Sequence, residues 1–282
     1  LGYQGASLTL VLPQQLSDIQ LRAGAGIRPP LKWAGGKRWL VPHLREIWKD
    51  NSQRRLVEPF CGGLAVTLGL QPEDAVLNDI NPHAINFYKH LKKGLLSKLE
   101  MNNNEVAFYE CREKFNHLIT TGKINSKSAA ELFYYLNRTG FNGLCRFNQQ
   151  GKFNVPFGRY SSINYTTDFS AYKDIFKNWE FIHGDFENTE IGRTDLIYAD
   201  PPYDVEFTQY SKEGFRWEDQ KRLAQWLASH KGPVILSNQA TPRIIDLYSS
   251  LNFKLITLDA PRMISCTGDR TRAQEILATK GC

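Results

Sequence analysis

The chain is poor in cysteine, and its cysteines do not form a pattern. Five are scattered over 282 residues, at 61, 111, 145, 266 and 282, with no CxxC pair and no histidine at zinc spacing. That argues against a disulfide framework and a structural metal, and it fits a reducing cytoplasm. No cysteine has a base at recognisable spacing, so each reads as a small buried hydrophobe rather than a nucleophile. Long apolar runs are missing as well: none approaches the roughly 18 residues of a membrane span. The early apolar run at 8–12 lacks a basic flank and is too short for a secretory core, so no export is expected. Repeats and low-complexity tracts are absent. The phosphate-loop pattern is absent too. "AGGKR" at 34–38 has the lysine, but GxxxxGK must be followed by Ser or Thr, and Arg38 stands there; a kinase or NTPase is not expected.

What is present becomes organised from Leu31 onward. Residues 1–28, with Gly2, Gly5, Gly24 and Gly26 and little periodicity, read as a poorly ordered extension. "LKWAGGKRWLVPHLREIW" leads into an amphipathic helix with Leu40, Leu44, Ile47 and Trp48 on one face. "RRLVEPF" and "AVLNDIN" are short strands, each followed by a helical stretch. From about residue 99 to 178 the pattern turns helical, then rich in Gly, Asn and Phe; after it, five further strand patterns resume with helices between them. This predicts an α/β fold, a doubly wound Rossmann-like sheet over 29–98 and 179–282, interrupted by a mainly helical insertion over 99–178.

Three stretches carry chemistry at strand ends, where open α/β sheets bind ligands. "EPFCGGLAV" is a strand, a glycine turn and a helix, where absence of Cβ lets backbone approach a ligand closely. It is not GxGxxG and is weak alone. Asp79 ends the next strand, where an acid can bond a ribose diol or, equally, cap the helix that Pro82 begins. "RTDLIYADPPYDVEF" ends an apolar strand on Asp200, Pro201, Pro202 and Tyr203. Two prolines cannot donate to a ladder, so the strand stops there; a plain turn with a helix-capping Asp is the bland reading. The other reading is a clamp on a planar amine. An exocyclic amine such as that of adenine is a poor nucleophile because its lone pair is delocalised. A carboxylate (Asp200) and a carbonyl (Pro201) accepting both N–H hydrogens free that lone pair for attack on a methyl sulfonium, and Tyr203 offers a stacking ring.

The insertion has its own signature. Between Leu132 and Thr167 there is no acidic residue, while Arg138, Arg146, Lys152 and Arg159 alternate with Phe141, Phe147, Phe153, Phe157 and Tyr160. With a net charge of +6, this favours a nucleic-acid face over an ordinary solvated one. "CRFNQQGKFNVPFGRY" reads as two strands around a Gln-Gln-Gly turn, a β-hairpin of a size that enters a major groove.

Taken together, "LKWAGGK", "LVEPFCGG", "LNDIN", "YLNRTGFNGLCRFNQQGKFNVPFGRY", "ADPPY" and "SCTGDRTRAQEILA" resemble the alpha group of Dam-type DNA adenine-N6 methyltransferases, in that family's motif order, over about residues 30–280. The resemblance implies a catalytic domain flanking an inserted target-recognition domain, with S-adenosylmethionine as cofactor and no metal. It implies cofactor contacts at Trp33, Lys37, Asp79 and Asp200, with Phe60, Asp185 and Phe186 as weaker members of that pocket. Catalysis falls to Asp200, Pro201, Pro202 and Tyr203. "FNGLCR" matches a segment usually reading Tyr-Asn-Gly-Leu-Cys-Arg; it implies that Phe141 intercalates beside a flipped adenine, Asn142 meets the orphaned thymine, and Leu144 and Arg146 read base edges. Phe in place of Tyr at 141 keeps the stacking and loses a hydroxyl. Pro156, Arg159 and Tyr160 match further hairpin contacts, and Lys32 the contact to the first guanine, so double-stranded GATC is the implied site. Arg262, Arg270 and Arg272 are either phosphate contacts or surface charges. The competing readings are an amine methyltransferase acting on RNA adenine, cytosine N4 or protein glutamine, and a non-catalytic DNA-binding protein; the hairpin argues against the first and the intact DPPY against the second. No membrane and no obligate protein partner is implied.

Overall fold

The computed structural model describes residues 28–204, 214–261 and 273–282. The expected extension, apart from residue 28, and Arg262, Arg270 and Arg272 lie outside the described residues. The carbonyl of residue 28 accepts the Tyr172 hydroxyl at 2.7 Å.

The seven strands among the described residues are β1 (Leu56–Glu58), β2 (Ala75–Asp79), β3 (Trp179–His183), β4 (Leu196–Ala199), β5 (Val234–Gln239), β6 (Lys254–Ala260) and β7 (Ala273–Lys280). They form one sheet in the order 3-2-1-4-5-7-6, in which β7 runs antiparallel between β5 and β6 and the rest pair in parallel. Every residue of β1, β2 and β4 is buried, which is why these strands open on apolar runs: a parallel sheet is covered on both faces. The polar residues Glu58, Asn78 and Asp79 fall at the carboxyl ends of β1 and β2. Register aligns Val57 with both Val76 and Ile197. The chain therefore reverses direction across the sheet between β1 and β4. At that switch point their carboxyl ends, carrying Glu58-Pro59-Phe60 and Asp200-Pro201-Pro202-Tyr203, open a shared crevice.

Helices α1 (Val41–Lys49), α2 (Ala65–Leu70), α3 (Pro82–Lys92), α7 (Trp217–Ser229) and α8 (Pro242–Ser250) accompany the sheet. The insertion between α3 and β3 contributes α4 (Glu105–Thr120), α5 (Lys127–Thr139) and α6 (Ser170–Ile175). Side-chain caps begin several of them: Asn81, Asn104, Ser126 and Thr241 accept amide hydrogens at the starts of α3, α4, α5 and α8. The insertion packs on the sheet domain through rings, Phe87 stacking on Tyr134 at 5.4 Å and His83 on Phe147 at 4.8 Å. One apolar core consequently runs from Leu56 and Leu77 through Phe133 and Phe153.

One local expectation changes, and one helix is new. The hairpin over 145–160 is narrower than two full strands. One Phe147–Phe153 bridge, a bond from Asn154 N–H to the Arg146 carbonyl at 3.2 Å and a turn closed by Asn148 make up its pairing. Phe153 is drawn into the core, its main chain bonded on both sides by Asn116 at 2.8 and 3.1 Å, so tertiary bonds replace a longer ladder. Helix α6 has only six residues, too few for a periodic signal in the sequence.

Candidate active site and recognition face

A cavity of about 530 Å³ opens at the switch point, lined among others by Trp33, Gly35, Lys37, Glu58, Phe60, Asp79, Ile80, Cys145, Asp200 and Tyr203. The sequence-expected cofactor residues Trp33, Lys37, Phe60, Asp79 and Asp200 thus meet in one place. Asp185 and Phe186 do not line it. Asp185 pairs through both oxygens with Arg222 at 2.9 Å each, and Phe186 is buried behind Phe60 with ring centroids 5.6 Å apart. The Arg222 bonds hold the Asp185 carboxyl below its ordinary range.

Asp200 follows β4 and is held from two directions. Lys37 Nζ lies 3.0 Å from its Oδ2, and Ser237 within β5 donates to its Oδ1 at 2.9 Å. Burial raises the pKa of Asp200, and the Lys37 charge opposes that. Lys37 is itself buried, 4.0 Å from Glu275 and 4.6 Å from the centre of the Tyr203 ring, so it ties the acid and the ring together. The Pro202 carbonyl accepts from Gln220 at 2.8 Å, and Gln220 accepts from the buried Asn238 at 3.0 Å. The two residues ending the apolar part of β5 therefore brace the tetrapeptide, Ser237 directly and Asn238 through α7. The sequence reading missed Ser237, Asn238 and Gln220, because burial of a polar side chain leaves no periodic mark.

The glycine turn after β1 lines the cavity, and it has a second reason beyond the one expected. A Cβ on Gly62 would come within 2.7 Å of the Trp33 indole nitrogen, and one on Gly63 within 2.7 Å of the Trp33 Cβ. The backbone is stripped there to admit Trp33. Asp79 fixes the same turn, accepting from Gly62 N–H and from Asn81 N–H at 2.9 Å each. The helix cap is Asn81, whose side chain accepts from His83 and Ala84. Burial raises the Asp79 pKa against these amide bonds. Glu58, also unanticipated, is buried beside the cavity with a bond from the Thr67 hydroxyl, and burial pushes its carboxyl up to about 8.

The insertion brings its expected residues to one face. Phe141 is 46% exposed and its N–H donates to the Pro156 carbonyl at 2.9 Å. Asn142 sits at φ 52° in the turn, and Gly143 follows at φ 63°; Leu144 is half-buried. Arg146 is exposed, its guanidinium braced by Asn154 at 2.8 and 3.2 Å. Arg159 is exposed with an ion pair to Glu105 at 3.4 Å. Lys32 Nζ stands 3.9 Å from the centre of the Tyr160 ring, and the Tyr160 hydroxyl donates to the Gly140 carbonyl at 3.2 Å. Cys145, next to Arg146, lines the cavity, so this face and the cavity adjoin.

The family model for D12 class N6 adenine-specific DNA methyltransferases matches residues 33–264. The chain belongs to that family. Among curated proteins, this D12-class chain is 36% identical to the retron Ec67 DNA adenine methylase of Escherichia coli, over 89% of this chain and 90% of that one. It is 34% identical to a type II methyltransferase, M1.LlaDCHI, of Lactococcus lactis, over 90% of this chain and 95% of the other. It is also 34% identical to a DNA adenine methylase of Vibrio cholerae, over 88% and 94%. The D12-class chain is thus a DNA adenine-N6 methyltransferase, which sets aside the readings as an RNA, cytosine or protein enzyme and as a non-catalytic binder.

Proposed function

We propose that this enzyme methylates the adenine of GATC in double-stranded DNA, with S-adenosylmethionine as donor. The observation that carries the reading is the juxtaposition of the Phe141–Arg146 turn, Lys32 and Tyr160 with a cavity closed by Asp200 and Tyr203.

The cavity suits the cofactor. Its volume of about 530 Å³ is within the ordinary range for such ligands. Carboxyls at Asp79 and Asp200 and apolar surface at Phe60 and the 69%-exposed Ile80 match a ribose, a cationic sulfur and a planar base. Trp33, Lys37, Phe60, Asp79 and Asp200 would hold it. When bound, S-adenosylmethionine supplies an electrophilic methyl group. Everything else falls to the chain. Asp200 and the Pro201 carbonyl accept the two amine hydrogens of a flipped adenine and bias its nitrogen towards tetrahedral geometry, while Tyr203 stacks on the base. As the nitrogen gains a methyl group it gives up a proton, and Asp200, whose pKa is raised by burial, is the acceptor. Phe141 fills the stack beside the vacated position, Asn142 meets the unpaired thymine, and Leu144, Arg146 and Lys32 read base edges. Pro156, Arg159 and Tyr160 complete the contacts. Residues 99–178 are the recognition module and the flanking segments the catalytic one; the enzyme works on cytoplasmic DNA without metal or obligate partner.

The test is to incubate the purified chain, in chelator, with labelled S-adenosylmethionine and duplexes with or without GATC, then digest and identify the labelled base. N6-methyladenine confined to GATC duplexes is expected. Equal label in DNA lacking GATC overturns the site, and loss of activity in chelator overturns the metal-free reading.

A further inference from the structure

One buried amide fastens the recognition turn to the segment that enters the active site. Asn137, in the last turn of α5, is 1% exposed. Its Oδ1 accepts the main-chain N–H of Lys32 at 2.8 Å, while its Nδ2 donates to the Lys32 carbonyl at 2.8 Å and to the Gly143 carbonyl at 3.2 Å. The first two bonds reproduce what a neighbouring strand would offer, across 105 positions of sequence. They fix Lys32 in both position and rotation. Both amide hydrogens and the oxygen are engaged, and the side chain has almost no exposed surface, so Asn137 has nothing left with which to touch a base.

Its bonds settle where other groups stand. Gly143, at φ 63°, is pressed so closely on Lys32 that a Cβ there would collide with the lysine Cβ. Lys32 then directs its ammonium to the Arg138 carbonyl at 3.1 Å and over the Tyr160 ring. The next residue is Trp33, seated against Gly62 and Gly63 in the cavity wall. The 141–144 turn, Lys32 and the cavity are thus joined through a single side chain.

We infer that Asn137 is a positioning residue for base discrimination: it holds Lys32 and the 141–144 turn at one fixed spacing, so that both meet the same duplex in register. The inference rests on the recognition-face reading under Proposed function. A purely structural asparagine would satisfy buried main chain and affect all DNA alike; a positioning residue affects the cognate site more than its variants, because only the cognate site uses the spacing.

Two variants test this from opposite sides. Asn137→Ala removes these three bonds and the Nδ2 contact to Cys145 Sγ at 3.8 Å; Gly143→Ala leaves Asn137 in place and pushes Lys32 away from the turn. The preferred sequence is first read from the sites that wild-type enzyme methylates in a randomised duplex pool. Single-turnover rates are then measured on that sequence and on its single-substitution variants, with S-adenosylhomocysteine affinity and melting temperature alongside. Each variant is expected to lower the ratio of cognate to substituted rates by about 10-fold, the lower range of one base contact, with S-adenosylhomocysteine affinity little changed. The double variant is expected to be no worse than the worse single one, since both break one arrangement. Equal slowing on every site, or additive losses in the double variant, would overturn the inference. If Asn137→Ala does not fold, Gly143→Ala alone decides by the same ratio. A pool that yields a sequence other than GATC sinks the site assignment while leaving this comparison intact.

Discussion

Ser237 donates to the Oδ1 of Asp200 at 2.9 Å from the strand beside the one that carries the acid. Lys37 takes the other oxygen at 3.0 Å, so the carboxylate is oriented before any substrate reaches it. Orientation of this kind costs nothing at the moment of reaction, which is where preorganised polar groups gain their effect. Ser237→Ala should accordingly slow single-turnover methylation by about 10-fold, the value of a hydrogen bond to a charged group, with DNA affinity unchanged. An unaltered rate would show that Lys37 alone orients the acid.

Asp200→Ala removes the acceptor itself. Its single-turnover rate should fall by about 10²-fold or more, the usual loss for one preorganised group, with little change in DNA affinity. A variant retaining a substantial part of the wild-type rate would show that the amine is not clamped by this carboxylate.

Glu58 gives a pH signature. Its ordinary value is 4.5 and burial takes it to about 8 in the folded chain. The folded state therefore holds the proton that the unfolded state releases, and stability falls as pH rises from 4.5 to about 8. Glu58→Gln keeps an acceptor for the Thr67 hydroxyl and has no proton to lose. Its melting temperature relative to wild type, without cofactor, should increase steadily across that window; parallel curves would show that the carboxyl stays ionised.

Arg146 should act on one base pair rather than on the whole duplex. Asn154 braces the guanidinium at two nitrogens, the fixed fork that bidentate reading of guanine O6 and N7 requires. Arg146→Ala should cost about 1–3 kcal/mol of discrimination at that pair, measured as single-turnover rates on GATC and its single-base variants. A uniform drop on every sequence would make Arg146 a phosphate anchor.

The strands and their order of appearance were legible because buried parallel strands open on apolar residues and the groups that matter fall at their carboxyl ends. Asp200-Pro201-Pro202-Tyr203 announced itself in that way. Lys37 was reached through resemblance, since nothing in its spacing points to Asp200. Gln220 and Asn238 were not legible: each lies in a regular element where a polar residue ordinarily faces water, and only the fold buries them against one another. The glycines at 62 and 63 line the cavity as their pattern suggests, but a second neighbour was not legible. Their missing Cβ atoms make room for Trp33, a partner that only tertiary structure supplies. The hairpin was overdrawn because alternation suggests two strands and cannot show that Asn116 takes the bonds of Phe153.

The clasp between Asn137 and Lys32 limits how freely this architecture can be rearranged. The insertion leaves after α3 and returns at β3, which pairs directly with β2, so a different insertion could be spliced there without disturbing strand order. Lys32 lies outside it, yet takes its position from inside it. A chimera exchanging only the insertion would inherit a lysine seated for another module's turn. If Lys32 and the turn read the duplex as proposed, exchange of specificity has to move two separate pieces of sequence together, and a chain that acquires one without the other should read its site loosely.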